Sequence, residues 1–172
     1  MSFLHCIYLA QLLDVCIVKH NFITIKISYI TETIAKTIIT VETIINAPVA
    51  KVWECWTKPE HIIQWNNASD DWHTPRAEND LRPGGRFVAW MEARDGSMGF
   101  DFGGTYDVVR QDEYLEYTLD DDRKVTVTFT PGEDSTKVVE SFKADNMNSI
   151  LLQLLGWQAI LDNFKKHTEG MA

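Results

Sequence analysis

The pattern of apolar and polar positions along most of the chain predicts a series of strands followed by one long helix. Residues 37–46 are rich in β-branched side chains, which favour a first strand. Val125, Val127 and Phe129 alternate with threonines, as expected for a strand with one buried face and one wet face. Residues 148–168 contain no proline and carry a broad apolar stripe at helical spacing, which predicts an amphipathic helix that packs on the sheet.

Proline and other turn residues place the boundaries of the remaining elements. Pro48 can open a helix, and Pro59 separates this short helix from a second one that ends at Trp65. Polar residues 66–71 are predicted to form a turn. Turn residues also separate the remaining predicted strands, which cover residues 76–81, 86–94, 100–110, 114–119, 124–130 and 136–143.

This order of elements predicts an α+β fold. One strand comes first, two short helices follow, and several antiparallel strands precede a single long helix, so the helices are expected on one face of the sheet. A strongly curved sheet that wraps around one helix can enclose a cavity. Gly103 and Gly104 lie inside a predicted strand, where the missing side chains permit a bulge or a sharp bend.

Residues 1–36 do not follow this pattern, and we interpret them as an N-terminal appendage to a domain that covers residues 37–172. The first apolar stretch contains Asp14 and ends at Lys19, short of the ~20 residues that span a bilayer. It also lacks the basic start and the clear cleavage site of a secretory signal. Residues 21–30 alternate in part, which favours an extra strand or an extended arm. A translated upstream stretch that the fold does not require is the other interpretation.

Composition and charge restrict the class of protein. A chain of 172 residues with 45% hydrophobic and 24% charged residues is typical of one folded domain. The formal net charge of −9 and the scattered basic residues argue against a nucleic-acid partner, which requires clustered lysine and arginine. Cys6, Cys16 and Cys55 show no paired spacing, so we predict no disulfide framework and a reducing, cytoplasmic location.

The sequence contains none of the common motifs for dinucleotide, phosphate or hydrolase chemistry, and we predict no cofactor. His61 and His73 carry suitable ligand atoms for a metal ion or an acid–base pair, but their spacing matches no known metal site. Residues 120–122 are three aspartates that we interpret as a solvated turn, because a calcium loop needs further oxygen ligands. No metal site is therefore predicted.

The aromatic residues are the main candidates for a binding site. Each one alone is also explained by core packing, but together they exceed what a filled core of this size needs. Large apolar pockets with a few polar groups are the usual form of small-molecule sites. His73 is expected in a loop at the mouth of such a cavity. The predicted ligand-binding residues are Trp65, Trp72, His73, Phe87, Trp90, Glu92, Phe102, Tyr106, Tyr117, Phe129, Trp157 and Leu161.

Two orientations remain open for the strand that precedes the Asp-Gly-Ser turn. In one, Trp90 and Glu92 point into the cavity together with Arg94, and the carboxylate contacts the ligand. In the other, Phe87 and Met91 point inward, and Glu92 and Arg94 form a solvated pair of little energetic value. The sequence pattern does not distinguish between these two orientations.

Short motifs occur in a fixed order along residues 38–169. They are Ala47-Pro48 before Val52-Trp53, Thr57-x-Pro59-Glu60 before Trp65, Pro83-Gly84-Gly85-x-Phe87, Gly104-x-Tyr106-x-x-Val109, Leu115-x-Tyr117-Thr118, and Gly156-Trp157 before Leu161. Together they resemble the homologues of the activator of the heat-shock-protein-ninety ATPase. The resemblance implies the START-like helix-grip fold, in which a curved antiparallel sheet wraps around a long C-terminal helix and encloses a deep hydrophobic cavity.

The resemblance implies function only at the level of a superfamily, whose members bind lipids or hormones, act as polyketide cyclases or aromatases, or serve as co-chaperones. Our leading hypothesis is noncatalytic binding of a small hydrophobic molecule. One alternative is an interaction module with a chaperone as partner, and the oligomeric state is open, a homodimer included. The other is an enzyme of cyclase or lyase type with polar groups inside the cavity, for which the candidates are Glu92, Arg94, Tyr106 and His73.

Overall fold

The structure is a computed structural model, and it describes residues 37–171 of the 172-residue chain. The appendage predicted at residues 1–36, with its expected strand or arm at residues 21–30, lies outside the described residues. The helices are α1 (Val49–Thr57), α2 (Pro59–Trp65) and α3 (Ile150–Gly170). The strands are β1 (Ile38–Ile45), β2 (Trp72–Asn79), β3 (Arg86–Ala93), β4 (Gly99–Arg110), β5 (Tyr114–Leu119), β6 (Lys124–Pro131) and β7 (Thr136–Lys143).

The described strands form one antiparallel sheet with the order β1-β7-β6-β5-β4-β3-β2. β1 and β2 are the two edge strands, and helices α1 and α2 connect them along the chain. The first strand lies beside the last one at one edge of the sheet. The sheet is curled, and the helices cover its concave face. The predicted α+β helix-grip fold is confirmed.

Helix α3 packs its apolar side against the sheet. Trp157, Leu161 and Phe164 recur at helical spacing and are buried. The indole ring of Trp157 stacks on the ring of Phe142 in β7, with centroids 3.8 Å apart. Burial of side chains of this size contributes roughly 1.5–3 kcal/mol each to the free energy of folding. These contacts hold the helix over the concave face.

The start of helix α3 is fixed by hydrogen bonds. The Ser149 hydroxyl accepts a bond of 3.2 Å from the amide of Leu152 and caps the helix. The fully buried side chain of Gln153 accepts a bond of 2.7 Å from the Asp145 amide and donates one of 2.9 Å to the Asn148 carbonyl. Because unpaired buried polar groups are costly, these bonds favour a single path for the loop that precedes the helix.

Strand β2 differs from the prediction. The sequence pattern predicts a strand at residues 76–81, whereas the strand runs over Trp72–Asn79. Pro75 does not end it, because β2 is an edge strand that tolerates a missing donor, and the register shifts between His73 and Arg76. His73 therefore lies in a strand and not in the loop that was expected.

The bulge or bend predicted in β4 at Gly103 and Gly104 lies at another position. The register shifts between Tyr106 and Val108, beyond the two glycines that the sequence analysis singles out. A Cβ atom on Gly104 would come within 2.5 Å of the Thr118 carbonyl oxygen of the neighbouring strand. Glycine is needed there because the backbones of β4 and β5 approach closely.

Candidate functional site

A cavity of about 80 Å³ lies between the concave face of the sheet and the helices. Aromatic and aliphatic side chains form most of its wall, and the wall contains few polar groups. The exposed residue Glu78 belongs to the lining, so the cavity reaches the protein surface. The lining residues are Trp56, Ile62, Trp65, Asn66, Glu78, Phe87, Val88, Ala89, Met91, Phe102, Tyr106, Tyr117, Glu140, Trp157, Ile160 and Leu161.

The structure brings most of the predicted ligand-binding residues to this wall. Phe129 is an exception, because it lies deeper in the core with its ring edge-on to Trp53 and Trp56, at centroid distances of 5.3 and 5.7 Å. Trp72 also lies outside the lining and packs against Phe100 at 5.8 Å. The predicted residues at the wall are Trp65, Phe87, Phe102, Tyr106, Tyr117, Trp157 and Leu161.

Strand β3 adopts the second of the two orientations that the sequence left open. Phe87, Ala89 and Met91 line the cavity, and Ala89 and Met91 are buried, so this phase of the strand points inward and Trp90 and Glu92 point to the opposite, convex face of the sheet. Val88, in the phase of Trp90, borders the cavity as well. A ligand in the cavity has no direct contact with these two residues. The alternation of β3 is regular, but its phase relative to the cavity depends on how the sheet curls.

Glu92 belongs to a polar cluster on the convex face. Its carboxylate accepts a hydrogen bond of 2.5 Å from the Trp90 indole and lies 3.0 Å from Nε2 of His73. These two bonds, the indole bond first, lower the pKa of Glu92. The solvated pair predicted between Glu92 and Arg94 is wrong, because the Arg94 guanidinium donates instead to the carbonyl of Asp70 at 2.8 Å.

Glu140 is the residue of the cavity that the sequence analysis missed. It lies in β7, where Val138, Glu140 and Phe142 alternate on the buried face. Only 5% of the residue is exposed, and it lines the cavity. A signal was present, since a carboxyl group in phase with two apolar residues of one strand must point toward the core.

The carboxyl group of Glu140 is held in its neutral form. Burial raises its pKa from 4.5 to about 8, and the hydrogen bond from Tyr117 offsets only part of this shift. The Tyr117 hydroxyl donates that bond to Oε1 at 3.1 Å. Burial, and then the nearby Glu140 charge, raise the pKa of Tyr117. At neutral pH the pair therefore offers uncharged donors and acceptors to the cavity.

Tyr106 extends this polar corner. Its ring lies 6.0 Å from the ring of Tyr117, and Phe87 contacts both tyrosines at 5.2 and 5.0 Å. Burial raises the pKa of Tyr106, and a hydrogen bond with the side chain of Asn79 opposes the shift. Oδ1 of Asn79 is buried and has no hydrogen-bond partner in the described part of the chain. The corner thus retains unused hydrogen-bonding capacity next to an aromatic wall.

The chain is similar to a known family and to solved structures. A family profile described as Activator of Hsp90 ATPase homolog 1-like protein matches residues 46–169. The solution structure of an AHSA1-like protein from Aeromonas hydrophila is 42% identical, covers 78% of this chain and 94% of its own, and has a TM-score of 0.75. A protein from Cytophaga hutchinsonii is 50% identical, with coverages of 77% and 92% and a TM-score of 0.68.

More distant similarity concerns the fold alone. A protein from Chromobacterium violaceum is 22% identical and has a TM-score of 0.70, with coverages of 77% of this chain and 98% of its own. None of the curated proteins matches the chain significantly. Among residues 37–171, no helix combines the length and the apolar character that a membrane span requires.

Proposed function

The chain belongs to the Activator of Hsp90 ATPase homolog 1-like family, and we propose that it binds a small, mainly apolar molecule that carries one neutral polar group. The observation that supports this proposal is the aromatic cavity with a single buried acid, Glu140, inside it. Small-molecule sites usually have this form, with an apolar wall for affinity and a few polar groups for orientation. Tyr117 and Glu140 supply those polar groups.

The size of the cavity restricts the ligand. A volume of about 80 Å³ is roughly half of the ~150 Å³ apolar cavity that accommodates benzene. A ligand larger than a few atoms therefore has to displace side chains at the wall. Trp56, Ile62 and Ile160 are only partly buried, so they are the side chains that can move at least cost. We expect the cavity to widen when it binds an aromatic compound.

The chemistry of Glu140 selects the polar group of the ligand. As a protonated acid it donates one hydrogen bond, which suits a carbonyl oxygen. A ligand carboxylate would have to lose its hydration inside an apolar wall without a cationic partner, which is strongly unfavourable. We therefore expect ketones, esters or amides with an apolar body to bind better than carboxylic acids of the same shape.

Nuclear magnetic resonance titration with three compounds tests the proposal. Acetophenone has a carbonyl group, ethylbenzene has a similar shape without it, and benzoate is an anion. We expect acetophenone to shift the indole signals of Trp65 and Trp157, which line the cavity, but not that of Trp90 on the convex face. Ethylbenzene should bind more weakly, and benzoate most weakly. If none of the compounds shifts the two cavity indoles at millimolar concentration, the proposal fails.

A cavity-filling substitution provides the matched control. Ala89→Leu places a larger side chain into the cavity and should abolish the shifts. Ala93→Leu makes the same change near the end of the same strand, outside the lining, and should preserve them. Native mass spectrometry of the protein from its own source then identifies any molecule that it carries. Equal binding by both variants would place the ligand outside the cavity.

Proton transfer in the cavity is a second candidate function, and the raised pKa of Glu140 favours it. General acids and bases work best when their pKa lies near the working pH, and perturbed carboxyl groups cluster at catalytic sites. Of the predicted polar set, Tyr106 lines the cavity, whereas Glu92, Arg94 and His73 do not. Glu140 and Tyr117 would therefore act together with Tyr106. Exchange of deuterium into the methyl group of bound acetophenone tests this function, and Glu140→Gln should stop it.

An interaction with a chaperone is the remaining alternative from the sequence. The matching family takes its name from an activator of the Hsp90 ATPase. Leu151 and Leu155 lie one turn apart on α3 with 63% and 57% of their surface exposed, and exposed apolar residues favour protein contacts. A stoichiometric chaperone recovered in a pull-down, and lost with Leu151→Ser/Leu155→Ser, would support this function.

A further inference from the structure

Three metal-binding side chains meet at the junction of the three helices, outside the cavity lining. Cys55 lies near the end of α1, His61 near the start of α2, and His167 in the last turn of α3. The sulfur atom and one nitrogen atom of each imidazole lie within 4.8 Å of one another. We propose that Cys55, His61 and His167 bind a zinc ion.

The spacing of the two histidines is close to that of a zinc site. Nδ1 of His61 lies 3.0 Å from Nε2 of His167. Two nitrogen ligands at ~2.0–2.1 Å from a tetrahedral zinc ion lie about 3.3 Å apart. Bound zinc would therefore replace the hydrogen bond between the imidazoles if the two nitrogen atoms separate by about 0.3 Å and the rings turn so that both lone pairs point at the ion. The sulfur atom has to approach the nitrogen atoms by at most about 1.3 Å, since a zinc–sulfur bond of about 2.3 Å places sulfur and nitrogen ligands ~3.5 Å apart.

The kinds of ligand atoms favour zinc over other common ions. One thiolate and two imidazoles suit this borderline-soft ion, whereas calcium and magnesium prefer oxygen ligands. Three protein ligands leave the fourth tetrahedral position for water. The two imidazole rings are partly buried rather than sealed, so the ion and this water can enter from the surface.

The backbone around the cluster is well fixed. The Trp65 indole donates a bond of 3.0 Å to the carbonyl of Cys55, which joins α2 to α1. The amide of Asn163 in α3 donates a bond of 2.7 Å to the carbonyl of Asn67, which follows α2. A site on three helices that are already held together requires little reorganisation to bind an ion.

Some charged groups near the cluster oppose the binding of a cation, and others favour it. The ammonium group of Lys51 interacts with Cys55 and His167 and opposes the binding of a cation. It is also paired with Glu54 at 3.6 Å, and Glu54 pairs with Lys58. Once the thiol releases its proton to solvent, the thiolate contributes one negative charge next to the ion. The bound ion would fasten the end of α3 to α1 and α2, and so would hold the helix that covers the cavity.

Cobalt is the probe for the experiment, because a cobalt–thiolate bond gives a charge-transfer absorption band. The 172-residue chain carries three cysteines, so Cys6→Ser/Cys16→Ser leaves Cys55 as its only thiol. We expect one equivalent of Co²⁺ to bind to this protein with the charge-transfer band, and Zn²⁺ to displace it with micromolar or tighter affinity. Zinc should also raise the Tm, because it binds the folded state.

Substitutions of the ligands distinguish the site from adventitious binding. Cys55→Ser should remove the charge-transfer band, and His61→Ala or His167→Ala should weaken binding by at least ~100-fold, more than the loss of an outer-shell partner. His73→Ala, in β2 and outside the cluster, is the control and should leave binding unchanged. Circular dichroism of the apo variants reports folding.

The proposal fails if the band is absent from the single-thiol protein or persists in Cys55→Ser. If Cys55→Ser does not fold, the zinc affinities of His61→Ala and His167→Ala test the proposal instead. Unchanged zinc affinity in both His61→Ala and His167→Ala would show that the two histidines form a structural hydrogen bond and do not bind zinc. None of these outcomes depends on a ligand in the cavity, so the zinc site and the proposed binding function are tested separately.

Discussion

Glu140 and Glu92 belong to the same sheet but lie on opposite faces, and their carboxyl groups differ in charge. Glu140 is 5% exposed on the concave face, and burial raises its pKa to about 8. The side chain of Glu92 is 33% exposed on the convex face, and bonds from Trp90 and His73 lower its pKa. The same residue type is thus neutral on one face and charged on the other at neutral pH.

The difference shows what controls a carboxylate on a curled sheet. Glu92 has two hydrogen-bond partners in addition to water, and these favour the charged form. Glu140 has the Tyr117 hydroxyl as its partner, and one hydrogen bond does not offset the loss of hydration among aromatic rings. The concave face is therefore suited to neutral, apolar ligands, while the convex face carries a solvated polar network.

The largest expected effect is a pH dependence of stability caused by Glu140. Its pKa rises from 4.5 to about 8 on folding, so the folded state keeps a proton that the unfolded chain has lost. The contribution of Glu140 to stability is therefore full below pH 4.5 and is lost as the pH rises from 4.5 through 8, by as much as about 5 kcal/mol at ~1.4 kcal/mol per pH unit. Urea unfolding of wild type and Glu140→Gln across this range measures the effect, and the variant should lack it.

Glu92→Gln is the control on the opposite face. Because its pKa is lowered in the folded state, Glu92 stabilises the protein at neutral pH and loses this contribution as the pH falls through its folded value. The substitution should therefore leave the loss of stability between pH 4.5 and 8 intact. If Glu140→Gln and Glu92→Gln gave the same pH profile, the contrast between the two faces would be wrong.

Substitution of one tryptophan on each face of the sheet should give the next largest difference in stability. Trp157→Ala removes a ring that stacks on Phe142 and lines the cavity, and should lower the free energy of unfolding by about 3–5 kcal/mol. Trp90→Ala removes a partly exposed ring that Arg76 covers at 5.1 Å, and should lower it by about 1 kcal/mol. Chemical denaturation measures both, and a larger loss for Trp90 would contradict this ranking.

Tyr117→Phe tests the hydrogen bond of the buried acid. The substitution leaves the Glu140 carboxyl without its donor, and should destabilise the protein by about 1–3 kcal/mol. It should also raise the pKa of Glu140 further, since the hydroxyl lowers it. Carbon-13 resonances of the carboxyl group follow this titration. Tyr114→Phe, whose hydroxyl bonds Glu116 at 2.9 Å on a partly exposed surface, should change stability by less than ~0.5 kcal/mol.

Removal of residues 1–36 should have the smallest effect on the stability of the protein. This segment is predicted to be an appendage, and residues 37–171 contain the seven strands and three helices that match the predicted fold. A chain that starts at residue 37 should keep its circular dichroism spectrum, with stability within about 0.5 kcal/mol of the full chain. An unfolded or aggregated product would show that the segment is part of the domain.

The periodicity of the sequence was sufficient to predict the elements of the fold. β-branched alternation, proline at helix starts and the apolar stripe of residues 148–168 each depend on local backbone preference, and the corresponding elements are present. The error at β2 has a nonlocal cause, because Pro75 would end a central strand but is tolerated at an edge. Edge position is a property of the whole sheet and cannot be read from the strand itself.

The candidate site was only partly predictable. The aromatic wall followed from composition and motif order, and Glu140 was visible as a carboxyl group in phase with Val138 and Phe142. The phase of β3 was not predictable, because a strand with large side chains on both faces carries no mark of which face is concave. The sheet curl decided that Met91 lines the cavity and that Glu92 lies outside it.

By itself, then, the sequence determined the order and the kind of elements in residues 37–171, because strand and helix periods are local properties of the chain. Only the tertiary structure decided which side chains meet. His61 and His167 are 106 positions apart and lie within 3.0 Å because α3 returns across the sheet to the two short helices. Tyr117 and Glu140 form a neutral pair because two strands place them on the same enclosed face, where water no longer stabilises a charge.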